Sequence, residues 1–266
     1  MGRADGDPPA FAAERQERIL QLLTERGRIR TVELAAELAV AEPTVRKDII
    51  DLAGRGLLRR TYGGALAAAA QSAEPTIAAR SSRNVDAKSR IAALALGLIG
   101  DGESVYLDNG TTVLALASLL ADTPVTERPR QLNVLTNGIE VAQTLADAAG
   151  IGLVVLGGSY RTAGKSFTGP LTLLSLQQFS VSTAFIGVSG LRGDELSVAD
   201  LSEAQVKHEV IQRAGRVVVC MDSSKFGASD FARVASLQDV HVLVTDRLPD
   251  DERRLADRRG LRVLTP

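Results

Sequence analysis

Apolar residues three or four positions apart predict three short helices between residues 14 and 56. They are Ile19, Leu22 and Leu23 in the first helix, Leu34 and Leu38 in the second, and Val45, Ile49 and Leu52 in the third. We expect the first helix to end at Gly27, the second to begin at Thr31 as its N-cap, and the third to begin at Glu42-Pro43. The shared spacing predicts that the apolar faces pack into a common core.

The third helix presents polar residues opposite its apolar face. Thr44, Lys47 and Asp51 fall on that side, with Arg46 on the flank. A short helix, a tight turn and a second helix with exposed Thr, Arg and Lys are typical of a helix-turn-helix, whose second helix reads base edges in DNA. Residues 57–64 then resemble a β wing whose arginines reach phosphates.

Charge in this region is locally basic, although the whole chain has a net charge of −1. Between residues 26 and 60 there are eight Arg and Lys against five Asp and Glu, and local charge is sufficient for DNA binding. A three-helix bundle with a solvated charged face is the alternative. The candidate DNA-binding residues are Arg30, Thr44, Arg46, Lys47, Arg59, Arg60 and Tyr62.

From Lys88 onward, helix-length segments such as 91–99 alternate with short β-branched or apolar runs. These runs are residues 104–107, 132–135, 152–156, 183–188, 216–221 and 240–245. Strands separated by helices predict an α/β fold with an open, largely parallel sheet. We therefore expect a disordered tail (1–13), a winged helix-turn-helix (14–66), a linker (67–79) and an α/β domain (80–266).

Polar and glycine residues follow these runs, at the edge where open α/β sheets bind ligands. The first such loop holds Asp108, Asn109, Gly110, Thr111 and Thr112 and precedes a predicted helix over 113–120. Its glycine, its hydroxyls and the free N–H groups of the helix could cradle a phosphate. The alternative is an ordinary strand-to-helix turn.

Three later loops carry further candidates. Thr136, Asn137, Gly157 and Gly158 follow two more strands and should meet the first loop at the same edge. Asp222 offers an acceptor for hydroxyl groups, and Lys225 an ammonium for phosphate. The segment 158–166 is close to a phosphate-binding P-loop, but five residues separate its glycines where that motif needs four.

Residues 14–66 resemble the N-terminal domain of the DeoR family of bacterial repressors. The matching strings include Glu14-Arg15-Gln16-Glu17-Arg18-Ile19-Leu20, Thr44-Val45-Arg46-Lys47-Asp48-Ile49 and Arg59-Arg60-Thr61-Tyr62-Gly63-Gly64-Ala65. Two positions depart from the family pattern: Ala41 replaces the usual Ser N-cap, and Tyr62 stands where His is common.

Later stretches resemble the DeoR sensor domain, whose fold is similar to that of ribose-5-phosphate isomerase. They include Arg80, Lys88, 108–112, 134–138, 156–158, 184–191 and 222–226. The resemblance implies that a phosphorylated sugar or related metabolite binds at the loops described above, with Glu203 and Lys207 as looser matches. We therefore expect a repressor of carbohydrate genes that acts on double-stranded operator DNA and is released by that effector; the alternative is an effector that promotes DNA binding. Because helix-turn-helix proteins read paired half-sites, we also expect a homodimer or homotetramer.

Composition narrows the setting further. Cys220 is the only cysteine, so no intramolecular disulfide can form and a reducing cytoplasm is the simplest location. We expect no metal and no cofactor, because no Cys/His cluster has ligand spacing, and no membrane partner, because no apolar run is long enough to span one.

An enzyme remains as the rival hypothesis, namely a sugar-phosphate isomerase fused to a DNA-binding module. Its acid–base groups would come from Asp108, Glu203 or Asp222, with Lys207 or Lys225. A fused DNA-binding module fits a sensor better than a catalyst, so we predict no catalytic residues.

Overall fold

The chain divides into two units, Met1–Glu74 and Pro75–Pro266. The computed structural model describes residues 9–26, 28–55, 57–61, 63–67 and 77–266. Within these residues, the first unit contains α1 (Pro9–Arg26), β1 (Arg28–Arg30), α2 (Thr31–Glu37), α3 (Glu42–Gly54), β2 (Leu58–Thr61) and β3 (Gly64–Ala67). The strands form one antiparallel sheet in the order β1-β3-β2. Helices followed by a β hairpin are the winged arrangement that the sequence predicts.

A small apolar core holds the helices of the first unit together. The predicted core positions are buried, namely Ile19, Leu22, Leu23, Leu34, Val45, Ile49 and Leu52, and Leu38 is partly buried. As expected, α3 begins at Glu42 with Pro43 in its first turn. Its N-cap residue Ala41 makes no side-chain hydrogen bond, so α3 lacks the roughly 1 kcal/mol that a Ser or Thr cap contributes.

The first helix begins earlier than its apolar spacing suggests. α1 starts at Pro9, so the expectation of a disordered tail is wrong for residues 9–13. Proline is tolerated in the first helical turn, and the alanines at positions 10, 12 and 13 are strong helix formers. Residues 1–8, Gly27 and Gly56 lie outside the described residues.

The second unit is built on a seven-stranded sheet. Its strands and those of two smaller sheets are β4 (Ser104–Leu107), β5 (Leu132–Thr136), β6 (Ile151–Val155), β7 (Ser159–Arg161), β8 (Ser166–Thr168), β9 (Val181–Ile186), β10 (Gly190–Arg192), β11 (Glu195–Val198), β12 (Ala214–Cys220), β13 (Ala232–Ser236), β14 (Val242–Val244) and β15 (Arg262–Leu264). The main sheet has the order β15-β14-β12-β9-β4-β5-β6, and its paired strands run parallel.

Helices cover both faces of this sheet. They are α4 (Ile77–Ser81), α5 (Val85–Leu96), α6 (Thr111–Asp122), α7 (Ile139–Leu145), α8 (Pro170–Leu176), α9 (Leu201–Arg213) and α10 (Asp250–Arg259). One core packs α5, α6 and α7 on the face that includes Val105, and the other packs α8 and α9 on the face that includes Tyr106. Burial of consecutive strand residues on opposite faces explains why the strands read as continuous apolar runs.

The six predicted strands all lie in the main sheet, and the predicted α/β class with parallel pairing is confirmed. The sequence did not predict β15 or the strands of the two smaller sheets, β10-β11-β13 and β7-β8. β7 and β8 have three residues each, too few for an alternation of apolar and polar residues to be visible.

The predicted linker, residues 67–79, is part of regular elements at both ends. Ala67 pairs with Leu58 in the first unit, and Ile77 begins α4 in the second. The Ile77 side chain is buried, and its N–H donates to the Ala163 carbonyl (3.1 Å). Strand pairing and burial order these two ends, which the local sequence alone does not predict. Residues 68–76 lie outside the described residues.

Cys220 is a buried residue of β12, and burial raises the pKa of its thiol to about 12. Its chemistry is therefore that of a core side chain. Among the residues described, no group of three or more His, Cys, Asp and Glu side chains could hold a metal ion. Nor is any helix in that part of the chain long and apolar enough to cross a membrane.

Candidate DNA interface and effector site

The exposed side of α3 and the wing form the candidate DNA interface. Arg46 and Lys47 are exposed on α3, and Arg60 is exposed on β2. A groove of about 410 Å³ lies between α3 and the wing, and both Arg46 and Arg60 line it. Arg46 also pairs with Glu42 one turn away (3.1 Å). The fold thus brings cations from two separate predicted elements to one groove.

Asp48, the next residue along α3, points inward instead. It is buried and accepts hydrogen bonds from Arg15 Nε (2.6 Å) and Gln16 Nε2 (3.2 Å) of α1. A buried carboxylate needs such partners to offset the loss of its hydration. Asp48 therefore fixes α3 against α1, while Arg46 and Lys47 on the other side of the helix stay exposed.

The remaining predicted interface residues differ in their surroundings. Thr44 is half-buried in the first turn of α3, and Arg30 is exposed at the N-cap of α2. The N–H of Arg30 donates to the Glu33 side chain (3.2 Å), so Arg30, rather than Thr31, occupies the capping position. The side chain of Arg59 and the whole of Tyr62 lie outside the described residues.

In the second unit, Asp108 stands at the end of β4 with no exposed surface. One carboxylate oxygen, Oδ2, accepts from the N–H of Gly187 (3.0 Å) and from Lys207 Nζ. Lys207 comes from α9 and is itself 1% exposed. A residue at the end of one strand is thus joined to the loop after the neighbouring strand, β9, and to a helix on one face of the sheet.

This pair is one link in a longer chain of alternating charges. Lys207 Nζ also contacts Glu203 Oε1 (3.1 Å), and Glu203 Oε2 accepts from the guanidinium of Arg161 on β7. Arg161 in turn approaches Asp200 (3.7 Å), whose carboxylate caps the start of α9. These five charged residues, in the order of their contacts Asp108, Lys207, Glu203, Arg161 and Asp200, are called the ion-pair chain below. They connect β4, α9 and the β7–β8 hairpin.

Charge compensation keeps Glu203 ionised. Burial by itself would raise the pKa of this carboxyl, but the positive charges of Lys207, Arg161 and Arg80 outweigh burial and lower the pKa below its ordinary value. A carboxylate with a lowered pKa and two cationic partners is a poor proton acceptor near neutral pH.

The β7–β8 hairpin is attached to the polar loops by its turn and by β8. Asn109 Nδ2 donates to the Gly164 carbonyl (3.3 Å), and Asn137 Nδ2 donates to the Phe167 carbonyl (2.9 Å). The Asn137 Oδ1 accepts from the hydroxyl of buried Tyr106 (2.7 Å). The predicted site residues Asn109 and Asn137 are therefore brought to the same hairpin by separate bonds.

The start of α6 has the features of an anion cradle. Gly110 occupies its N-cap without a side-chain cap, and Thr111 and Thr112 form the first turn. The first N–H groups of a helix have no partner within it and lie at the positive end of its dipole. A Cβ atom on Gly110 would stand 3.3 Å from the Gly187 Cα, so glycine allows the loops after β4 and β9 to approach closely.

The loop after β12 forms another part of the same sheet edge. Asp222 accepts from Asn84 Nδ2 (2.9 Å) and from the Ser224 N–H (3.1 Å). Lys88 donates to the carbonyls of Arg80 (2.5 Å) and Arg83 (2.6 Å), which fixes the turn between α4 and α5. Burial lowers the pKa of Lys88, the charge of Asp222 opposes this, and the charge of Lys225 adds to it.

The two glycines after β6 make contacts of a different kind. The Gly157 carbonyl accepts from the Thr172 hydroxyl (2.8 Å). Gly158 adopts a positive φ of 151°, and a Cβ atom there would stand 2.8 Å from the Thr168 carbonyl oxygen. These contacts fix the backbone just before β7. They involve residues of α8 and β8 and none of the ion-pair chain. Thr136 is buried and accepts from the Gly138 N–H (3.0 Å).

Both units match domains of one known family. Residues 15–71 match the DeoR-like helix-turn-helix domain, and residues 83–247 match the DeoR C-terminal sensor domain. The chain belongs to the DeoR family. It is a DNA-binding transcriptional regulator and not an enzyme, which excludes the isomerase alternative.

Known DeoR-family proteins are similar over nearly their full length. The HTH-type transcriptional repressor GlcR of Bacillus subtilis (strain 168) is 32% identical, over 96% of each chain. The L-fucose operon activator of Haemophilus influenzae is 28% identical, over 93% of this chain and 97% of its own. A weaker likeness, with 20% identity and a TM-score of 0.39, links 54% of the chain to 55% of ribose 5-phosphate isomerase A from Methanocaldococcus jannaschii.

Several residues of the DeoR sensor unit around these loops were missed as site residues. Arg161 and Asp200 complete the ion-pair chain, Asn84 donates to Asp222, and Lys88 fixes the turn between α4 and α5 that holds Asn84. The resemblance to the DeoR sensor domain includes Lys88, but it did not assign Lys88 to the effector site. Arg161 lies inside the P-loop-like segment, which instead forms the β7–β8 hairpin. Its contact with Glu203 joins residues 42 positions apart, so the residues around Arg161 do not predict it.

Proposed function

We propose that this regulator represses genes of carbohydrate metabolism as a homodimer or homotetramer and leaves its operator when a phosphorylated sugar or related metabolite binds. The observation that carries the proposal is the loop from Asp108 to Thr112. It joins an uncapped helix N-terminus, suited to a phosphate, to a buried acceptor, suited to hydroxyl groups.

The assignment of DNA contacts rests on exposure and charge. Arg46 and Lys47 at the start of α3 are exposed, and Arg60 of the wing lines the same groove as Arg46. In a helix-turn-helix, such residues contact base edges and phosphates. A dimer is proposed because these modules read paired half-sites.

The assignment of the effector site rests on the polar edge of the main sheet. Thr111 and Thr112 would surround the phosphate at the start of α6, and Lys225 would supply an ammonium from the loop after β12. Asp108 and Asn109, with Thr136 and Asn137 nearby, would accept or donate hydrogen bonds to the sugar. Glu203 and Lys207 would hold Asp108 in place through the ion-pair chain. Gly157 and Gly158 would shape the neighbouring loop after β6.

A titration of labelled DNA from upstream of the protein's own gene tests this function. We expect fluorescence anisotropy to show binding that weakens steeply with salt, and addition of one class of pentose or hexose phosphate to release the DNA. If the effector makes DNA binding tighter, the proposal that the protein senses a phosphorylated sugar stands, but the proposal that this sugar releases the DNA is wrong. Binding that no phosphorylated sugar or polyol changes would overturn the effector class.

A further inference from the structure

One apolar residue interrupts the exposed polar face of α3. Ile50 is 47% exposed, and the exposed residues around it are charged, namely Arg46, Lys47 and Asp51. Among the residues described, the core of the helix-turn-helix unit includes Ile49 but not Ile50. β-Branched residues also have a lower helix propensity than Lys, Arg or Glu. Neither core packing nor helix formation therefore explains an isoleucine at this position.

Helix geometry places Ile50 among the cations assigned to DNA. With about 3.6 residues per turn, its position around the axis of α3 falls between those of Arg46 and Lys47, one turn farther along the helix. Ile50 also lines the groove between α3 and the wing, together with Arg46 and Arg60. The two arginines make this groove complementary in charge to the DNA backbone. DNA that occupies the groove therefore meets Ile50 as well as the arginines.

An isoleucine side chain neither donates nor accepts a hydrogen bond, so only an apolar group on a base can match it. The base edges in the major groove carry hydrogen-bonding groups at every base pair, and the one apolar group among them is the C5-methyl of thymine. A cytosine in the same place would turn its N4 amino group toward Ile50, and that group would lose water without gaining a partner. This position therefore favours thymine.

We infer that Ile50 is a specificity-determining residue of the DNA interface and that its side chain packs against the C5-methyl group of a thymine in each operator half-site. The inference rests on the proposed use of α3 to read DNA, and it adds a base preference to that interface. Arg46 and Lys47 attract the DNA and form hydrogen bonds with it, whereas Ile50 excludes polar base edges. Loss of this contact lowers affinity without changing its salt dependence, because the contact neutralises no phosphate.

Replacement of thymine by deoxyuridine tests this contact on the full-length protein, because deoxyuridine lacks the C5-methyl group and pairs in the same way. An operator is first selected with the wild-type protein from a library of random DNA duplexes, and each of its thymines is then replaced in turn. In fluorescence anisotropy titrations, we expect one thymine in each half-site whose replacement weakens wild-type binding about fourfold, the effect of one buried methyl group.

Three variants link that thymine to Ile50. In Ile50→Ala, replacement of the same thymine should weaken binding by less than about 1.5-fold, because its methyl group no longer has a partner. Ile50→Val keeps a branched apolar side chain, so the replacement should still weaken binding about twofold or more. The matched control is Val125→Ala, which truncates an apolar residue that is 56% exposed in the sensor unit and should behave as the wild type does.

The outcomes separate this inference from the proposed function. The inference is wrong if the selected half-sites contain no such thymine, or if each replacement weakens the binding of Ile50→Ala and of the wild type equally. It is also wrong if Ile50→Ala weakens binding to all sequences alike, as loss of a contact with deoxyribose would. In these cases the proposed DNA interface stands as long as Arg46→Ala weakens operator binding. If Arg46→Ala has no effect, the interface is wrong and the inference falls with it.

Discussion

The two units use charged side chains in opposite ways. In the helix-turn-helix unit, Arg46, Lys47 and Arg60 lie exposed along α3 and the wing. In the sensor unit, Asp108, Lys207 and Glu203 are each at most 3% exposed and are bound to one another. An exposed cation remains available to a polyanion, whereas a buried charge must be compensated inside the protein. Substitutions in the first unit should therefore change DNA affinity, and substitutions in the second should change stability or ligand response.

The largest effect is expected from Lys207→Met. This change leaves the buried carboxylates of Asp108 and Glu203 without their shared cation, and breaking a buried ion pair in this way costs about 3–5 kcal/mol. Urea unfolding followed by circular dichroism should show this loss in the free energy of unfolding of the sensor unit.

Lys165→Met is the matched control, because Lys165 pairs with Glu140 (2.5 Å) but its side chain is 42% exposed. Exposed pairs contribute about 0–1 kcal/mol, so this variant should unfold nearly as the wild type does. Similar losses for the two lysines would contradict the contrast between buried and exposed pairs.

Next in size is the effect of Arg46→Ala on operator binding. A side chain that contacts a base edge contributes about 1–3 kcal/mol, which we expect to see as weaker binding in anisotropy titrations. Lys47→Ala should weaken binding to all DNA sequences and reduce the salt dependence, as loss of a phosphate contact does. The control is Arg254→Ala on α10, an exposed cation of the sensor unit; unchanged affinity for Arg46→Ala would refute the assigned interface.

A smaller change is expected from Lys225→Met and Thr111→Val. Both should retain operator affinity, because neither residue belongs to the helix-turn-helix unit. Each removes a group proposed to hold the phosphate, so the effector concentration needed to release DNA should rise by about fivefold or more. The proposed cradle is wrong if both variants release DNA at the wild-type concentration.

The smallest effect concerns pH and the sensor unit. The pKa of Glu203 is lowered from its ordinary value of 4.5, so its ion pairs stabilise the folded state fully above that value. This contribution is lost as the pH falls from there through the folded-state pKa. Thermal unfolding between pH 7 and pH 3 should show the loss, with a shallower slope in Glu203→Gln. Equal slopes below pH 4.5 would show that Glu203 contributes nothing to acid sensitivity.

Local pattern accounts for the elements of the fold that are regular and buried. The spacing of Val45, Ile49 and Leu52 predicted the buried face of α3 and hence the exposed face with Arg46 and Lys47. Continuous apolar runs predicted strands of the main sheet. These patterns are visible in the sequence because burial of one helix face, or of both faces of a strand, restricts which residue types can occupy successive positions along the chain.

Sequence alone thus determined the fold class, the buried and exposed faces of α3, and the loops that carry Asp108, Thr136 and Asp222. Only the tertiary structure decided which of these residues meet. β4 lies between β5, the next strand along the chain, and the distant β9, and α9 brings Lys207 to Asp108 across 99 residues. Strand order and helix placement depend on packing between distant segments, and no local periodicity records that packing. For this reason the ion-pair chain became visible only in the folded protein.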